Sequence, residues 1–422
     1  MVEYRPFPES REDEFRAFTR YAFSPERGPY DSEEAEDRTF LADGRGLFDG
    51  DEPLAVCAHH AFDLRIRGAD RRVAGLSAVA CPPEHRRCGH VRRLLRESLS
   101  EHRADGIAVS ALWPFEYGFY RRFGWATASR YTHLTAAPEE LSFAAEAVDP
   151  GAGRFRRLGV DDYPAVAALL ETVADRYDLT MARSAAWWEH RSLRSWETDP
   201  FVYGYERDEE LRGLLSYTFS EGEDKNERTM TVSDAVAADE TAWLHLLRFC
   251  RNHDSQAGEV RIRAPPDVDV LDRVADPRAV TQEDRTGPMV RLVDVADALE
   301  LLEPGEPPSG AAAERDGPTA GPVASFDLAV EDPLVPWNDG RFTVRVDAAD
   351  GAVSVTPTDE PAADDATSRP TASVDVGTLS QLFVGYLSVA EAARLGRLDP
   401  GPAQSTLERL FPPRRTFLRE GF

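Results

Sequence analysis

The chain has 422 residues, of which 42% are hydrophobic, and its 75 acidic and 49 basic residues give a formal net charge of −26. This length predicts two to four domains, and the hydrophobic content excludes a largely disordered chain. So negative a charge argues against general nucleic-acid binding, which requires neutralised phosphates. No apolar run approaches the ~18 residues of a membrane span, and the N-terminus is charged from Glu3, so we predict a soluble, cytoplasmic protein with no membrane partner.

Lysine is almost absent, because Lys225 is the single basic residue that is not arginine. An acid excess without lysine is typical of adaptation to high salt, in which an acidic surface stays hydrated and arginine keeps its pairing geometry. We therefore predict a halophile, specifically a haloarchaeon. A GC-rich genome is the alternative, and it explains the lysine deficit but not the charge. Four cysteines are too few for a disulfide framework and fit a reducing compartment.

The first third of the chain predicts an alternation of helices and strands. Apolar spacing favours a helix first, then two antiparallel strands joined by a turn at 68–70, an arginine-rich loop, a helix, a buried strand, and a short helix that runs into another strand. The ranges in chain order are 12–23, 54–68, 73–81, 89–103, 107–113 and 119–129.

The same pattern returns more weakly in the middle of the chain. Residues 155–177 open with a helix, paired strands follow, and residues 229–254 repeat the strand, loop and helix. The second loop, AVAADETA, has neither arginine nor glycine. We interpret the two parts as a duplication in which only the first copy keeps a binding loop, although generic α/β alternation would look similar.

Residues 289–302 are predicted to start a third, α+β unit. Its strands are separated by Asp-Gly turns, and a helix pair is predicted over 378–396. Two low-complexity loops, 303–322 and 359–370, interrupt the unit.

The stretch CPPEHRRCGHVRRLLR, residues 81–96, crowds five arginines among two cysteines and two histidines. A zinc site is disfavoured, because Cys81 and Cys88 are seven residues apart, no second ligand pair follows, and the arginines would repel a dication. One basic loop without a neighbouring aromatic platform is also a poor nucleic-acid site. A solvated helix face explains Arg93 and Arg96, but it does not explain a strand that turns through two prolines into Gly89 and a helix.

A strand, a glycine and a helix N-terminus in this order form an anion-binding arrangement. The helix start offers unpaired N–H groups, the glycine admits close approach of the backbone, and arginines add forked donors. This order fits the pyrophosphate of a nucleotide-like cofactor.

The segment resembles motif A of the GCN5-related N-acetyltransferases (GNAT), in which R-x-x-G-x-[GA] holds the pyrophosphate of acetyl-CoA. Here the motif is Arg86-x-x-Gly89-x-Val91, with Val91 departing from Gly/Ala. HRRxG followed by larger residues, and FEYGFYRRFGW at 115–125, resemble the enhanced intracellular survival (Eis) branch. The resemblance implies an α/β (α+β) chain with two tandem GNAT-type domains, the second degenerate, and a C-terminal sterol-carrier-protein-2-like domain. The boundaries that we expect are 1–142, 143–287 and 288–422.

The same resemblance implies roles for named residues. The backbone of Val79, Ala80 and Cys81 would pair with the pantetheine arm, and Phe115 and Glu116 would lie near its end. Tyr120 would be the general acid, although alone it would be interpreted as core packing. The α-carboxylate of Phe422 would be the base. The pyrophosphate would be held by Arg87, Cys88, Gly89, His90, Val91 and Arg92.

The implied reaction is direct transfer from acetyl-CoA to a primary amine of a small cationic molecule or a lysine side chain, in a ternary complex and without a metal. A covalent acyl-cysteine is not expected, because no His–Asp partner is evident. Acidic residues near the cleft would attract a cation: Asp31, Glu33, Glu34 and Glu420. The resemblance also implies a homo-oligomer, a hexamer. The alternative hypothesis is a lipid or apolar-ligand binding protein with a vestigial acetyltransferase domain.

Overall fold

The computed structural model of the chain describes residues 1–32, 39–195, 198–222, 224–303, 324–347, 351–358 and 369–422. The two predicted low-complexity loops, 303–322 and 359–370, lie almost wholly outside these ranges. Within them, no helix combines the length and the apolar character that crossing a membrane requires.

The first unit follows the predicted order of elements, with an additional pair of strands before β3. Its elements are β1 (Val2–Pro6), α1 (Glu12–Phe23), β2 (Asp43–Asp49), β3 (Glu52–Ile66), β4 (Ala69–Ala80), α2 (His90–Ala104), β5 (Val109–Leu112), α3 (Tyr117–Arg121), β6 (Ala126–Thr127) and β7 (Arg130–Ala136). Arg67 and Gly68 both have positive φ, 53° and 78°, and form the tight turn that joins β3 to β4.

The second unit repeats this order. The expected opening helix is shorter than predicted, because residues 154–157 form a strand that pairs with β10. The elements are α4 (Ser142–Ala147), β8 (Arg154–Arg157), α5 (Tyr163–Ala174), β9 (Met181–Ala182), α6 (Ala185–Trp187), β10 (Phe201–Arg207), β11 (Glu210–Phe219), β12 (Thr229–Ala237), α7 (Glu240–Arg251), β13 (Glu259–Ala264) and β14 (Thr281–Thr286).

The third unit contains the predicted strands and the predicted helix pair. Its segment of the chain comprises β15 (Met289–Leu292), α8 (Val295–Glu300), β16 (Ala324–Glu331), β17 (Gly340–Val346), β18 (Val353–Pro357), β19 (Thr371–Asp375), α9 (Val376–Phe383), α10 (Val389–Arg394), β20 (Leu398–Asp399) and α11 (Gln404–Leu410). Its sheet has the order β18-β17-β16-β19-β20.

The first two sheets exchange a strand. The first has the order β1-β2-β3-β4-β5-β15-β6, with β9 added beside β3, and the second has the order β14-β7-β13-β12-β11-β10-β8. β7 therefore leaves the first unit for the second sheet, and β15 completes the first sheet between β5 and β6. This pairing differs from the interpretation of 289–302 as the start of the third unit, while the three domain boundaries themselves stay a prediction.

The third unit packs on the first through one continuous apolar core. Val109 and Val290 of the first sheet share a buried cluster with Leu379 and Phe383 of α9. Polar groups fix the contact, since Gln381 donates to Thr127 O at 2.8 Å and Leu292 N donates to Ser380 Oγ at 2.9 Å. The third unit therefore packs directly against the first sheet, which also carries the candidate site.

Candidate active site

The strands β4 and β5 diverge at the centre of the first sheet. They pair in parallel only from Val73 with Val109 to Leu76 with Leu112. Among the described residues no strand pairs with β4 on that side beyond Leu76. The backbone edge at Val79, Ala80 and Cys81 is therefore available to an extended ligand that adds as a strand.

A bulge marks the same part of β4. The pairing with β3 shifts register between Ala80 opposite Val56 and Ser77 opposite Ala58, and Ala78 has a φ of 51°. Such a bulge bends the strand and leaves a residue out of the ladder, a device that often lies beside functional sites.

The loop after β4 ends in a helix start with open backbone donors. Arg87 and Gly89 both have left-handed backbones, with φ of 61° and 84°, and α2 begins at His90 without a side-chain cap. A Cβ built on Gly89 would have no atom within 4 Å, so the backbone here is open to approach. The first N–H groups of a helix have no intrahelical acceptor and carry a partial positive charge, which suits an anion.

The arginines of this loop divide into fixed and available side chains. Arg86 donates to Cys81 O at 3.0 Å and lies 5.6 Å from the ring centre of Tyr21. Arg93 donates to Val2 O at 2.7 Å. Arg87 is exposed and has no side-chain hydrogen bond or ion pair among the described residues, whereas the exposed Arg92 donates only to Pro333 O at 3.1 Å. Arg87 and Arg92 are therefore the side chains available to an anion.

The thiols and imidazoles in this segment have other partners. Cys81 Sγ donates to Leu54 O at 3.3 Å, and burial raises the pKa of its thiol. Cys88 is exposed and donates to Arg86 O at 3.4 Å. His85 lies 3.1 Å from Glu52 Oε1, and the described residues contain no group of three or more His, Cys, Asp or Glu that could hold a metal. A raised pKa does not favour the thiolate that nucleophilic catalysis needs.

Aromatic rings line the end of the gap beyond β5. Phe115 is 60% exposed, and its ring centre lies 5.5 Å from that of Tyr120 and 6.4 Å from that of Phe23 on α1. Glu116 accepts from Gly118 N at 3.2 Å and so caps α3. The role of Phe115 and Glu116 near the end of the pantetheine arm stays a prediction.

Tyr120 lies beneath these aromatic rings, which we call the aromatic wall. Its side chain is 3% exposed and packs edge-on against Phe119 and Trp125. The hydroxyl has no hydrogen-bond partner among the described residues. Burial, and after it the proximity of Cys57, raises the pKa of Tyr120 above its usual value. The phenol therefore keeps its proton at neutral pH.

The C-terminal segment docks on the first sheet rather than fraying. The ring of Phe422 lies 4.7 Å from that of Phe62 and 5.5 Å from that of His60. A Cβ added at Gly75 of β4 would lie 2.9 Å from the Phe422 ring. Glycine at this position therefore leaves the space that the terminal ring occupies.

Hydrogen bonds hold the tail along its length. Phe417 N donates to Asp178 O at 2.9 Å, Trp113 Nε1 donates to Glu420 O at 2.8 Å, and Arg191 donates to Gly421 O at 2.9 Å. These partners come from the second unit and from the end of β5, so the tail joins both units to the third.

Two of the four acidic residues expected near the cleft, Asp31 and Glu420, lie within the described residues. Glu420 is buried and receives a hydrogen bond of 2.7 Å from Arg183. Asp31 is exposed, and Glu33 and Glu34 lie outside the described residues.

The second unit fills its equivalent helix start with its own carboxylate. Asp239 caps α7 by accepting from Ala242 N at 2.8 Å, and it accepts 2.8 Å hydrogen bonds from Arg207 and Arg212. Burial alone would raise the pKa of Asp239, but the hydrogen bonds from Arg212, Ala242 N and Arg207 lower it to about 2. An anion would find both the donors and the arginines occupied, which agrees with a degenerate second copy.

Several contacts in this region involve residues that the sequence reasoning did not identify. His60 and Phe62 hold the terminal ring, and Trp113 fixes the tail. Residues 183, 187–195 and 198–202 line a large cavity beside the tail. The paired tryptophans 187 and 188, both buried, were the available signal for this segment.

Comparisons with known proteins agree with this architecture. Residues 3–128 and residues 179–292 each match a family model described as an acetyltransferase (GNAT) domain, and residues 310–419 match a sterol carrier protein domain. The chain is 27% identical over 418 residues to an uncharacterized N-acetyltransferase of Streptomyces avermitilis, covering 94% of this chain and 92% of the relative.

Three further similarities are to one named Eis protein sequence and to two solved structures. The present chain is 40% identical to the N-acetyltransferase Eis of Mycobacterium tuberculosis over 116 residues, which are 27% of each chain. The structure of Eis1 from Mycobacterium abscessus superposes with a TM-score of 0.71 at 21% identity, and a probable N-acyltransferase from Enterococcus faecalis with 0.80 at 20%, each over the whole of both chains. None of these relatives is haloarchaeal, so the halophilic source has no support here and stays a prediction.

The two acetyltransferase matches fall on the two exchanging sheets, and the first contains the open loop and the gap between β4 and β5. The sterol carrier match falls on the third sheet and its helices. The chain is therefore an N-acetyltransferase built from two GNAT domains and a C-terminal sterol carrier protein domain.

Proposed function

We propose that the protein transfers the acetyl group of acetyl-CoA to a primary amine, directly and with both substrates bound. The observation that carries the proposal is the open helix start at Gly89 beside the unpaired edge of β4. When bound, acetyl-CoA supplies the activated thioester. The pyrophosphate would be held by the loop and helix start formed by Arg87, Cys88, Gly89, His90, Val91 and Arg92, through backbone N–H groups and the Arg87 and Arg92 side chains.

The β4 edge positions the reactive end. The backbone of Val79, Ala80 and Cys81 pairs with the pantetheine arm as a neighbouring strand would, and the N–H groups there polarise the thioester carbonyl. Phe115 and Glu116 flank the same end. The aromatic wall keeps water from the thioester.

Tyr120 acts as the general acid in this proposal. As the N–C bond forms and the C–S bond breaks, the phenol donates its proton to the sulfur, which has an ordinary pKa near 8.5. Burial keeps the phenol protonated until that step.

The α-carboxylate of Phe422 accepts the proton that the attacking amine loses, or orients the ammonium before it. Its ordinary pKa of about 3.5 is low for a base, so transfer through a water molecule suits it. The ring between His60 and Phe62 fixes its position.

Calorimetry with acetyl-CoA and a thiol-release assay with diamines, aminoglycosides and lysine peptides test the function. We expect saturable binding and amine-dependent release. An absence of acetyl-CoA binding would refute the proposal. Removal of Phe422 should lower kcat by about 100-fold, a general-base contribution, at unchanged acetyl-CoA affinity, whereas Phe422→Tyr keeps ring and carboxylate and serves as the control.

The acceptor is a primary amine, cationic in solution, of a small molecule or a lysine side chain. The four free thiols fit the reducing cytoplasm as the site of action. The hexamer stays a prediction. Lipid carriage is the weaker candidate, because the third domain packs its buried apolar residues in one cluster with those of the first.

A further inference from the structure

A cavity of about 1050 Å³ lies beside the C-terminal tail. It is bounded by strands of the second sheet, by residues 183, 187–195 and 198–202, and by tail residues 419–421. Gly421, which lines it, immediately precedes the ring that sits on the first sheet. The cavity therefore adjoins the proposed position of acetyl transfer, at the end of the tail.

Arginines dominate the charge of the cavity lining. The lining includes six arginines against four acidic residues, although the whole chain has a net charge of −26. A polycation would not be favoured by this lining, whereas a group with a negative charge would be.

The deepest charged group is an ion cluster centred on Arg183. Its guanidinium donates to Asp234 at 2.6 Å and to Glu420 at 2.7 Å, and its side chain is 3% exposed. Asp234 and Glu420 both accept hydrogen bonds from Arg183, and the charges of Arg263 and Arg419 also interact with these two carboxylates. Three arginines against two carboxylates leave a positive excess.

Arg419 is the arginine of this cluster with the most buried donors that lack an acceptor among the described residues. Its side chain is 9% exposed and lines the cavity, and its nearest carboxylate oxygen, Asp234 Oδ1, is 3.8 Å from Nε. Both Nε and Nη1 are buried without a hydrogen-bond acceptor among the described residues. Burial lowers the pKa of Arg419, because Asp234 and Glu420 compensate its charge incompletely.

Arg263 extends the same surface. Its guanidinium lies between the rings of Tyr131, at 4.5 Å, and Trp113, at 4.8 Å. Among the described residues its one hydrogen bond is a long one, of 3.4 Å, to Leu418 O. Its Nε is also buried without an acceptor. Asp234 Oδ1 and Glu420 Oε2 also accept no hydrogen bond from the described residues, but two carboxylates do not outweigh the charge of three arginines.

Buried donors without acceptors cost free energy unless a ligand completes them. A carboxylate oxygen accepts a charge-assisted hydrogen bond from a guanidinium, and either unpartnered donor of Arg419, Nε or Nη1, could supply one. We propose that this cavity binds the carboxylate of the acetyl acceptor, so that the acceptor is an amino acid-like molecule with a primary amine and a distant acid group. This inference rests on the proposed function and specifies the substrate class.

An acceptor series tests the charge preference. ω-Amino acids of three to eight carbons are compared with their amides and with diamines of the same lengths, at saturating acetyl-CoA, by thiol release. At the best length we expect the acid to exceed its amide about tenfold in kcat/KM, a difference of ~1.4 kcal/mol. Amides or diamines that match the acids at every length would overturn the inference.

Binding without turnover gives a second readout. The best ω-amino acid should raise the thermal unfolding temperature of the intact protein without acetyl-CoA, and its amide should not. Equal shifts from both would count against the site.

Substitutions in the cavity test whether Arg419 and Arg263 cause the preference for acids over amides. Arg419→Gln should reduce the acid-to-amide ratio towards one, and Arg419→Lys should restore part of it. Arg415→Gln is the matched control, because Arg415 lies on the same tail but pairs with Asp267 at 3.0 Å. If Arg419→Gln does not unfold cooperatively, Arg263→Gln replaces it. A ratio that survives in both Arg419→Gln and Arg263→Gln would contradict the assignment.

The outcomes separate the two proposals. Thiol release with diamines but no preference for acids refutes the cavity assignment alone. A chain that binds no acetyl-CoA refutes the proposed function and, with it, the acceptor site.

Discussion

Tyr120 shows how burial sets the chemistry of a single side chain. The ring is packed among Phe115, Phe119 and Trp125, and this environment disfavours the phenolate. The motif around residue 120 suggests an acid, but the sequence alone could not show that the hydroxyl has no hydrogen-bond partner among the described residues. That fact depends on which residues the fold brings near.

Replacing Tyr120 with Phe tests this role. We expect kcat to fall by about 100-fold or more, a contribution typical of general acid catalysis, while acetyl-CoA affinity stays unchanged. Since the raised pKa keeps the phenol protonated, kcat of the unaltered enzyme should not decline from loss of this proton between pH 7 and pH 9. A Tyr120→Phe enzyme with unchanged kcat would remove the role.

Three buried histidines of the first domain predict acid sensitivity. Burial first, then neighbouring charge, lowers the pKa of His59 to about 3 and that of His60 to about 4, and burial lowers that of His102 to about 4. The unfolded chain takes up these protons near pH 6.5 and the folded chain does not. The contribution of these histidines to the free energy of unfolding is therefore fully present above about pH 6.5, and it is lost as the pH falls towards 4.

Urea unfolding between pH 7 and pH 4 measures this loss. For His60 alone a shift of this size corresponds to about 3 kcal/mol. The slope of unfolding free energy against pH should be smaller in His102→Gln. An identical slope in the variant and the unaltered protein would contradict the assignment.

At the scale of elements, α2 provides a matched pair of positions. Gly89 precedes its first residue and Gly106 follows its end, both have positive φ, 84° and 70°, and a Cβ at either would meet no atom within 4 Å. The backbone strain of an alanine is therefore similar at the two ends. Only Gly89 lies at the proposed anion site.

Gly89→Ala and Gly106→Ala should each lower the unfolding free energy by about 1 kcal/mol. Only Gly89→Ala should also weaken acetyl-CoA binding, by about tenfold, because its methyl group enters the space of the pyrophosphate. Calorimetry compares the two variants. Equal affinities would show that the backbone at Gly89 does not contact the ligand.

The order of helices and strands could largely be predicted from the sequence, whereas the pairing of the strands could not. The residues of α1, α2 and the third-domain strands follow the predicted periodicities because each element buries one face. The segment RYTHLTA at β7 alternates in the way that any half-buried strand does. Nothing local states that it pairs with β13 rather than with β5. Arg183, Arg263 and Arg419 meet only through that long-range pairing, so the sequence could not predict their cavity.

At the scale of the whole molecule, the strand exchange predicts that the first domain does not fold alone. A variant ending at residue 142 lacks β15, whose residues Met289 and Leu292 are fully buried between β5 and β6 or against α9. We expect no cooperative thermal transition by circular dichroism.

The exchange also suggests a rescue. Gly287 N donates to Ser129 O at 2.9 Å, so a variant that joins residue 129 directly to 287–292 closes β6 and β15 into a tight hairpin. This variant should regain a cooperative transition that 1–142 lacks. A cooperative transition with acetyl-CoA binding in 1–142 itself would contradict the prediction.

The carboxylate of Asp239 closes the anion site of the second domain, yet β7 and β15 bind that domain to the first. A mutation that unfolds the second domain would therefore release β7 and disturb the strand order of its neighbour. The second copy therefore supports the fold of the first even where its own anion site is closed. A deletion of the second domain is expected to be tolerated only if it keeps β15 beside β5 and β6.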